Sequence, residues 1–349
     1  MSGPRVTVLT VVRNGGRFLS ETIASIRAQS FIDWEYLIVD DVSEDDTVAV
    51  VQQAMRLEPR LQLIRRETWG GMHVALNDGL RVARGEYIIN IDADDLSPSH
   101  RIERQLGFLA RHPQYRACVS FVQHFDDHGL RAQVATVPTS PPVLRWYLLL
   151  RGMPTHSSLC IARAALAALG GYCELPLAQD HRLMCELSQR EWLGVVPEVL
   201  SFVRIHPRRS SVVQSELLHK LVLDVVAEHA FALTGEHWPR ADIETLFAVG
   251  HSMPLAVDEG LQMLDRWDRL WQAVTNLTRQ DRRALERLSG WRRWKHLRGN
   301  VRRQPIQALV ALARPSVLWS ILRLLVSRDP RSRRERGVSA PGVGVVGTT

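Results

Sequence analysis

Four groups of side chains in this sequence are of types that do chemistry. The first is Asp40 and Asp41, at the end of the apolar run Tyr36–Val39. A carboxylate there can accept hydrogen bonds from a nucleobase imide or a ribose hydroxyl; the alternative is an acidic loop that caps the next helix. The second is Asp92, Asp94 and Asp95, which close the run Tyr87–Ile91. Carboxylates this close repel one another unless a cation or ligand compensates them, and their oxygens suit Mg²⁺ or Mn²⁺ shared with phosphates. An acidic turn before the helix near Pro98 is the plainer alternative. The third is Asp180, at the expected start of a helix over His181–Arg190. The helix dipole there favours an ionised carboxylate, which suits a general base as well as a simple N-cap. The fourth is His206, beside Pro207 after an apolar run, where a neutral imidazole could complete a metal site or simply sit satisfied at the surface.

These groups need a scaffold that brings strand ends together. Strands are expected at Val6–Val12, Glu35–Asp40, Leu61–Ile64, Tyr87–Ile91 and Ala117–Gln123. Helices are expected at Phe18–Ala28, with Leu19, Ile23 and Ile26 on one face, and at Thr47–Arg56, Met72–Ala83 and Ser99–Arg111. Asp45 and Asp46 are suited to capping the second of these. Strands alternating with helices give an α/β fold with a mainly parallel sheet covered on both faces. Such sheets bind ligands beyond the carboxyl ends of their strands, where the first two acidic groups fall. Strands at Ser158–Ala162 and Val195–Arg204 continue the pattern, and Pro138–Pro142 reads as a loop. In the stretch 133–156, Trp146, Tyr147 and His156 are open to two readings, acceptor contacts or core packing. Beyond Ser211 the texture becomes helical, with helices expected at Leu217–Leu233, Ile243–Val249, Leu261–Leu277 and Asp281–Leu288.

The order and spacing of these groups resemble glycosyltransferase family 2 over roughly residues 5–211. "VTVLTVVRNGGRF" resembles the family's opening strand and Asn-containing loop, and "LIVDDVSEDDT" its nucleotide-binding "VDDGSTDGT". "GEYIINIDADD" resembles the strand into its DxD motif. "GGYCELPLAQDHRL" resembles the Gly-Gly-aromatic turn and "EDxxL" base motif, and "VRIHP" its Arg-x-His pair. The resemblance implies a GT-A type, Rossmann-like sheet flanked by helices, and an inverting transfer from a nucleotide-sugar donor. The donor is expected to be a UDP-sugar and the acceptor a glycan or lipid-linked hydroxyl, in polysaccharide or glycolipid assembly. It further implies that Val11, Asn14, Asp40, Asp41, Asp92 and Asp94 bind the nucleotide sugar. A divalent metal, Mn²⁺ or Mg²⁺, would be held by Asp94, Asp95 and His206, and Asp180 would be the general base. The chain departs from the pattern at Val42, where the family has Gly, at Gln179, where it has Glu, and at Arg13, in the place of a frequent aromatic. A non-catalytic sugar-nucleotide-binding or scaffold protein on the same fold is the alternative reading.

Lysine is absent from residues 1–219. That excludes a phosphorelay receiver and a haloacid-dehalogenase-like phosphatase, both of which use one; the chain also lacks GxxxxGK(S/T) and, after the first strand, GxGxxG. The four cysteines form no CxxC pair and read as reduced thiols of a cytosolic protein. Met1–Val12 lacks the features of a signal peptide.

The formal charge of +7 is unevenly placed: residues 291–336 hold 13 Arg and Lys against Asp329 and Glu335, a balance of +11, which leaves −4 elsewhere. Within this stretch Arg292, Arg293, Lys295, Arg298, Arg302 and Arg303 precede an apolar segment, Ile306–Val326, interrupted by Arg314, Pro315 and Arg323. Two readings stay open for it, a helix lying at an anionic membrane surface and a helical cap with solvated arginines; no recognised motif supports nucleic acid. The expected organisation is a catalytic domain over 1–211, a mostly helical extension over 212–328 and a disordered basic, Gly-rich tail over 329–349. The expected location is cytoplasmic, peripheral on the inner face of the membrane.

Overall fold

The computed structural model describes residues 3–150, 153–207, 215–251, 253–301 and 303–326. The expected boundary at 211/212 and the expected disordered tail lie outside these. The chain separates into two compact units, Met1–Phe247 and Ala248–Thr349.

The first unit alternates as its apolar runs dictate: β1 Val6–Val12, α1 Gly16–Arg27, β2 Trp34–Asp40, α2 Thr47–Met55, β3 Leu61–Arg65, α3 Met72–Val82, β4 Tyr87–Asn90 and α4 Arg101–Arg111. Then come β5 Ala117–Asp126, β6 Gly129–Ala135, α5 Pro141–Leu150, a 3₁₀ turn at His156–Ser158, β7 Cys160–Ala162, α6 Arg163–Ala168, α7 Gln179–Gln189 and β8 Leu193–Arg204. The strands form one sheet in the order β3-β2-β1-β4-β7-β5-β6, with β8 on the other edge of β5. The pairs β1–β2, β1–β4, β2–β3 and β5–β8 are parallel, and β7 and β6 run against them. The expected mainly parallel sheet is therefore present.

Both faces of the sheet are dry, as a parallel sheet requires. Val6, Val8 and Val12 of β1 pack with Leu19, Ile23 and Ile26 of α1 on one face. Leu9, with Leu37 and Val39 of β2, packs with Ala75 and Leu76 of α3 on the other. Register then fixes the site. Val12 lies opposite Asp40 and Leu9 opposite Asn90, so the carboxyl ends of β1, β2 and β4 lie along one edge, where the acidic groups of β2 and β4 emerge. Among the elements that differ from expectation are β6 and α5. The hairpin strand β6 follows a glycine turn that was not read, and Pro141 and Pro142 open α5 where a loop was expected, because Pro suits the first turn of a helix. Trp146 of α5 is buried, which settles its reading as packing. The unit continues with α8 Ser215–Thr234, packed on α5 and α7, and the unit boundary falls inside α9 Arg240–His251.

The second unit contains α10 Val257–Ala273, α11 Arg279–Asn300, α12 Pro305–Leu312 and α13 Pro315–Val326. Thr278 and Asp281 form a reciprocal capping box that starts α11. All four cysteines are free thiols. Among the described residues no single helix is long and apolar enough to cross a membrane.

Candidate active site

The site is built from loops that bind one another at the strand ends. Asn14 takes a positive φ of 56°, and its Oδ1 accepts the Glu44 amide at 2.8 Å while its own amide donates to Ser43 Oγ at 2.8 Å. Asp45 accepts the amides of Gly16 and Thr47, each at 3.0 Å. Asp45 therefore serves the first turns of α1 and α2 together. Asp46, at the α2 cap position, makes no side-chain cap, which corrects the simpler expectation for that pair. Between these contacts Val42 is held at φ 64°. A β-branched residue pays there for a conformation that glycine adopts freely, at the position where the resemblance leads one to expect Gly.

Asp40 and Asp41 are both buried, with different surroundings. Asp41 pairs with Arg66 and also accepts the amides of Gly70 (3.3 Å) and Gly71 (3.1 Å). Arg66 is shared with Asp78 of α3 at 2.7 Å. Asp40 receives only the Ser43 amide, at 3.3 Å on Oδ2, and its Oδ1 has no partner among the described residues. Beside them Trp69 is 61% exposed, and the Arg13 guanidinium lies 5.7 Å from its ring. Trp69 had no sequence signal. The loop contact places an aromatic next to the position where Arg13 replaces one.

Asp92, Asp94 and Asp95 come together as expected, each offering an oxygen within 4.8 Å of the others. Asp95 is buried, and desolvation, followed by the charges of Asp92 and Asp94, holds its carboxyl well above the usual range. The Arg204 amide donates to Asp95 Oδ1 at 2.9 Å, and the Arg204 side chain reaches the Asp94 carbonyl at 3.0 Å and Glu21 at 2.8 Å. His206, after β8, meets Asp94 Oδ2 at 2.7 Å and packs on Phe18. The spacing Asp94–His206 is 112 residues, so only the fold brings this pair together. Below the cluster, Arg101 is fully buried and bound to Gln105, Ser97 and the Asn90 carbonyl. Burial lowers its pKa to about 10, with Asp95 and Asp92 among the nearby charges that oppose the drop. It remains a cation that offsets part of the acidic charge without binding a carboxylate.

Asp180 arrives by a longer route. Gly170 and Gly171, both at positive φ, turn the chain so that the Tyr172 amide and carbonyl bind Asn77 of α3 at 2.9 and 2.8 Å. A side chain on Gly171 would strike Asn77, which is why the turn needs glycine. The Tyr172 hydroxyl binds Asn90 at 2.7 Å and His156 at 2.9 Å, so His156 is a buried support below the site. The charges of both Asp180 and Asp92 act on that hydroxyl, which places the two carboxylates around one residue. Asp180 lies in the first turn of α7 after Ala178 at φ 64°. The dipole was expected to favour its ionised form. Desolvation prevails over the backbone hydrogen bonds, and its carboxyl is raised above the ordinary range.

Residues 7–166 match the family model "Glycosyl transferase family 2". EpsE of Bacillus subtilis (strain 168), a candidate glycosyltransferase, is 34% identical over 174 residues, covering 49% of this chain and 61% of EpsE. RfbC of Myxococcus xanthus, an O-antigen biosynthesis protein, is 32% identical over 207 residues, covering 58% of this chain and 16% of RfbC. The chain thus spans less than two thirds of either relative. Among solved structures, S. aureus TarS 1–349 in complex with UDP-GlcNAc superposes with a TM-score of 0.54 at 18% identity, covering 86% of this chain and 92% of TarS 1–349. That likeness is one of fold, of the GT-A kind.

Proposed function

We propose, from the match of residues 7–166 to the glycosyl transferase family 2 model, that the chain is an inverting glycosyltransferase of that family. It moves a sugar from a nucleoside-diphosphate donor to an acceptor hydroxyl. The observation that carries this reading is the convergence of Asp92, Asp94, Asp95 and His206 at one end of the sheet. UDP-GlcNAc is the ligand of the TarS structure, so a UDP-sugar is the first donor to test. RfbC, an O-antigen biosynthesis protein, supports a glycan or lipid-linked acceptor in polysaccharide assembly. Placement at the cytoplasmic face of a membrane, where lipid-linked acceptors are reached, completes the proposal.

Each residue has a part in it. Asp40, with its unpaired oxygen, and Asp41, held by Arg66 and the Gly70 and Gly71 amides, face the nucleoside, with Val11 and Asn14 shaping the adjoining loop. Asp92 and Asp94 approach the ribose and diphosphate. The donor set fits a hard divalent cation, Mn²⁺ or Mg²⁺: clustered oxygens plus one imidazole, in a place where three carboxylates otherwise repel. Asp94, Asp95 and His206 would hold it. When bound, it supplies positive charge opposite the departing diphosphate. Asp180 takes the proton of the acceptor hydroxyl, and its raised pKa narrows the gap to that weak acid. Attack from the face opposite the diphosphate inverts the anomeric carbon and requires no protein nucleophile.

The test is to incubate the protein with UDP-, dTDP- and GDP-sugars, Mn²⁺ and candidate acceptors, following product mass and anomeric configuration. An acceptor-dependent product of inverted configuration is expected. Donor binding with no product from any acceptor would support the scaffold alternative, and a retained configuration would overturn the mechanism.

A further inference from the structure

The C-terminal unit holds an apolar surface that the transfer reaction does not use. Ala308 and Ala311 of α12 and Val317 and Ile321 of α13 are buried against Val257, Leu261 and Leu297. That packing fixes both helices by one face. Their other face is as apolar and stands in solvent: Ile306 is 73% exposed and Trp319 63%, with Leu309, Val310, Leu318 and Leu322 also exposed. Water-facing apolar residues grouped in this way mark an interaction surface. The two helices meet at a bend of 77°. At 1.5 Å per residue the eight-residue α12 is about 12 Å long, far short of a bilayer core of about 30 Å.

The charge around this face selects its partner. Residues 291–326 contain eight Arg and Lys and no Asp or Glu. Two of the eight are internal. Arg293 pairs with Asp265 (2.5 Å) and Asp268 (2.8 Å), and Arg292 is buried with its guanidinium on the Gly250 carbonyl at 2.5 Å. These two are therefore corrected from solvated surface cations to structural ones. Arg298 and Arg303 remain exposed, and Arg314 is exposed and pairs with the equally exposed Asp258 at 2.8 Å. An apolar face bearing a tryptophan, in a stretch that carries exposed arginines and no acidic residue, matches the interface of an anionic bilayer, where acyl chains take the apolar side chains, headgroups take guanidiniums, and Trp settles between.

We propose that the outward faces of α12 and α13 dock on an anionic lipid surface, with Ile306, Leu309, Val310, Leu318, Trp319 and Leu322 entering it and Arg298 and Arg303 meeting its headgroups. This gives residues to the membrane placement proposed above. It stands on the C-terminal unit alone, so a failure of the transferase reading would leave it intact.

The test is co-flotation of the full chain with vesicles of phosphatidylcholine, with and without phosphatidylglycerol, beside UDP binding by the same samples. The expected result is binding to the anionic vesicles that weakens with salt. Leu309→Glu with Trp319→Glu should reduce it by about tenfold or more, with circular dichroism and UDP binding unchanged because both side chains are exposed. Arg298→Gln with Arg303→Gln should flatten the salt dependence. Equal binding to neutral vesicles, or full binding by the Glu variant, would overturn the proposal. So would a dimer that the Glu variant dissociates, seen without vesicle binding; a second copy would then be the occupant.

Discussion

Two regions of this protein bury acidic and basic groups, and they do so in opposite ways. In the C-terminal unit Arg293 meets Asp265 and Asp268, while Asp268 also accepts Trp271 Nε1 at 2.9 Å and Ser289 Oγ at 2.8 Å. There a buried cation meets its carboxylates directly. At the end of β4, three carboxylates crowd together, while the buried cations nearby turn elsewhere: Arg101 is bound to neutral groups, and the Arg204 guanidinium to the Asp94 carbonyl and Glu21. A balanced buried network holds a structure together. An unbalanced one stores a need for charge that a ligand can meet.

The contrast can be broken by removing the acting carboxylates. Asp180→Asn should reduce kcat by about 10²–10⁴-fold, the usual contribution of a general base, while calorimetry shows UDP binding retained. An equal loss of donor affinity would reassign Asp180 to binding. Asp94→Ala should leave the fold intact and abolish the Mn²⁺ dependence of UDP binding, since it removes the carboxylate that meets His206. An unchanged Mn²⁺ dependence would remove Asp94 from the metal set.

On the balanced side, Arg293→Met should destabilise the protein by about 2–3 kcal/mol in urea unfolding. That is below the full cost of breaking a buried pair, because Asp265 is half exposed. Activity of the folded fraction should not change. A neutral effect on stability would place the Arg293 network with ordinary surface pairs.

The pH profile sharpens the same contrast. Asp180 acts ionised and burial raises its pKa, so activity should climb with pH through a value above the ordinary carboxylate pKa of about 3.9. The sign for stability is opposite: the buried charge costs stability above that pKa, and the cost disappears as pH falls through it. An acid limb at the ordinary carboxylate value would show that Asp180 is well solvated. The smallest effect is expected at Val42. Val42→Gly relieves the left-handed backbone at φ 64° and should stabilise by about 0.5–1 kcal/mol, or a few degrees in Tm. Destabilisation would mean that the Val42 side chain contributes more in packing than its backbone loses.

What could be read from sequence was whatever depended on local period and strand ends. Val6–Val12 is legible because an apolar run buried on both faces has one outcome, and Leu19, Ile23 and Ile26 share a face because helical spacing puts them there. The acidic strand ends were legible for the same reason. The supports beneath them were not. Arg101, Asn77, Tyr172 and His156 matter through contacts 11 to 95 residues apart in the chain, which no local pattern encodes. The arginines of α11 look alike in sequence. Only the facing Asp265 and Asp268, one turn apart on α10, distinguish Arg293 from its exposed neighbours. The helix expected at Asp281–Leu288 runs from Arg279 through Gly290 to Asn300.

The central claim is that the unbalanced carboxylates at the end of β4 serve a nucleoside diphosphate and a divalent cation together. Calorimetric titration of UDP, dTDP, GDP and CDP, with and without Mn²⁺, tests it most directly. The account predicts that one uracil or thymine nucleotide binds and that Mn²⁺ strengthens the binding. Binding of no nucleotide by folded protein, or binding indifferent to the metal, would contradict it.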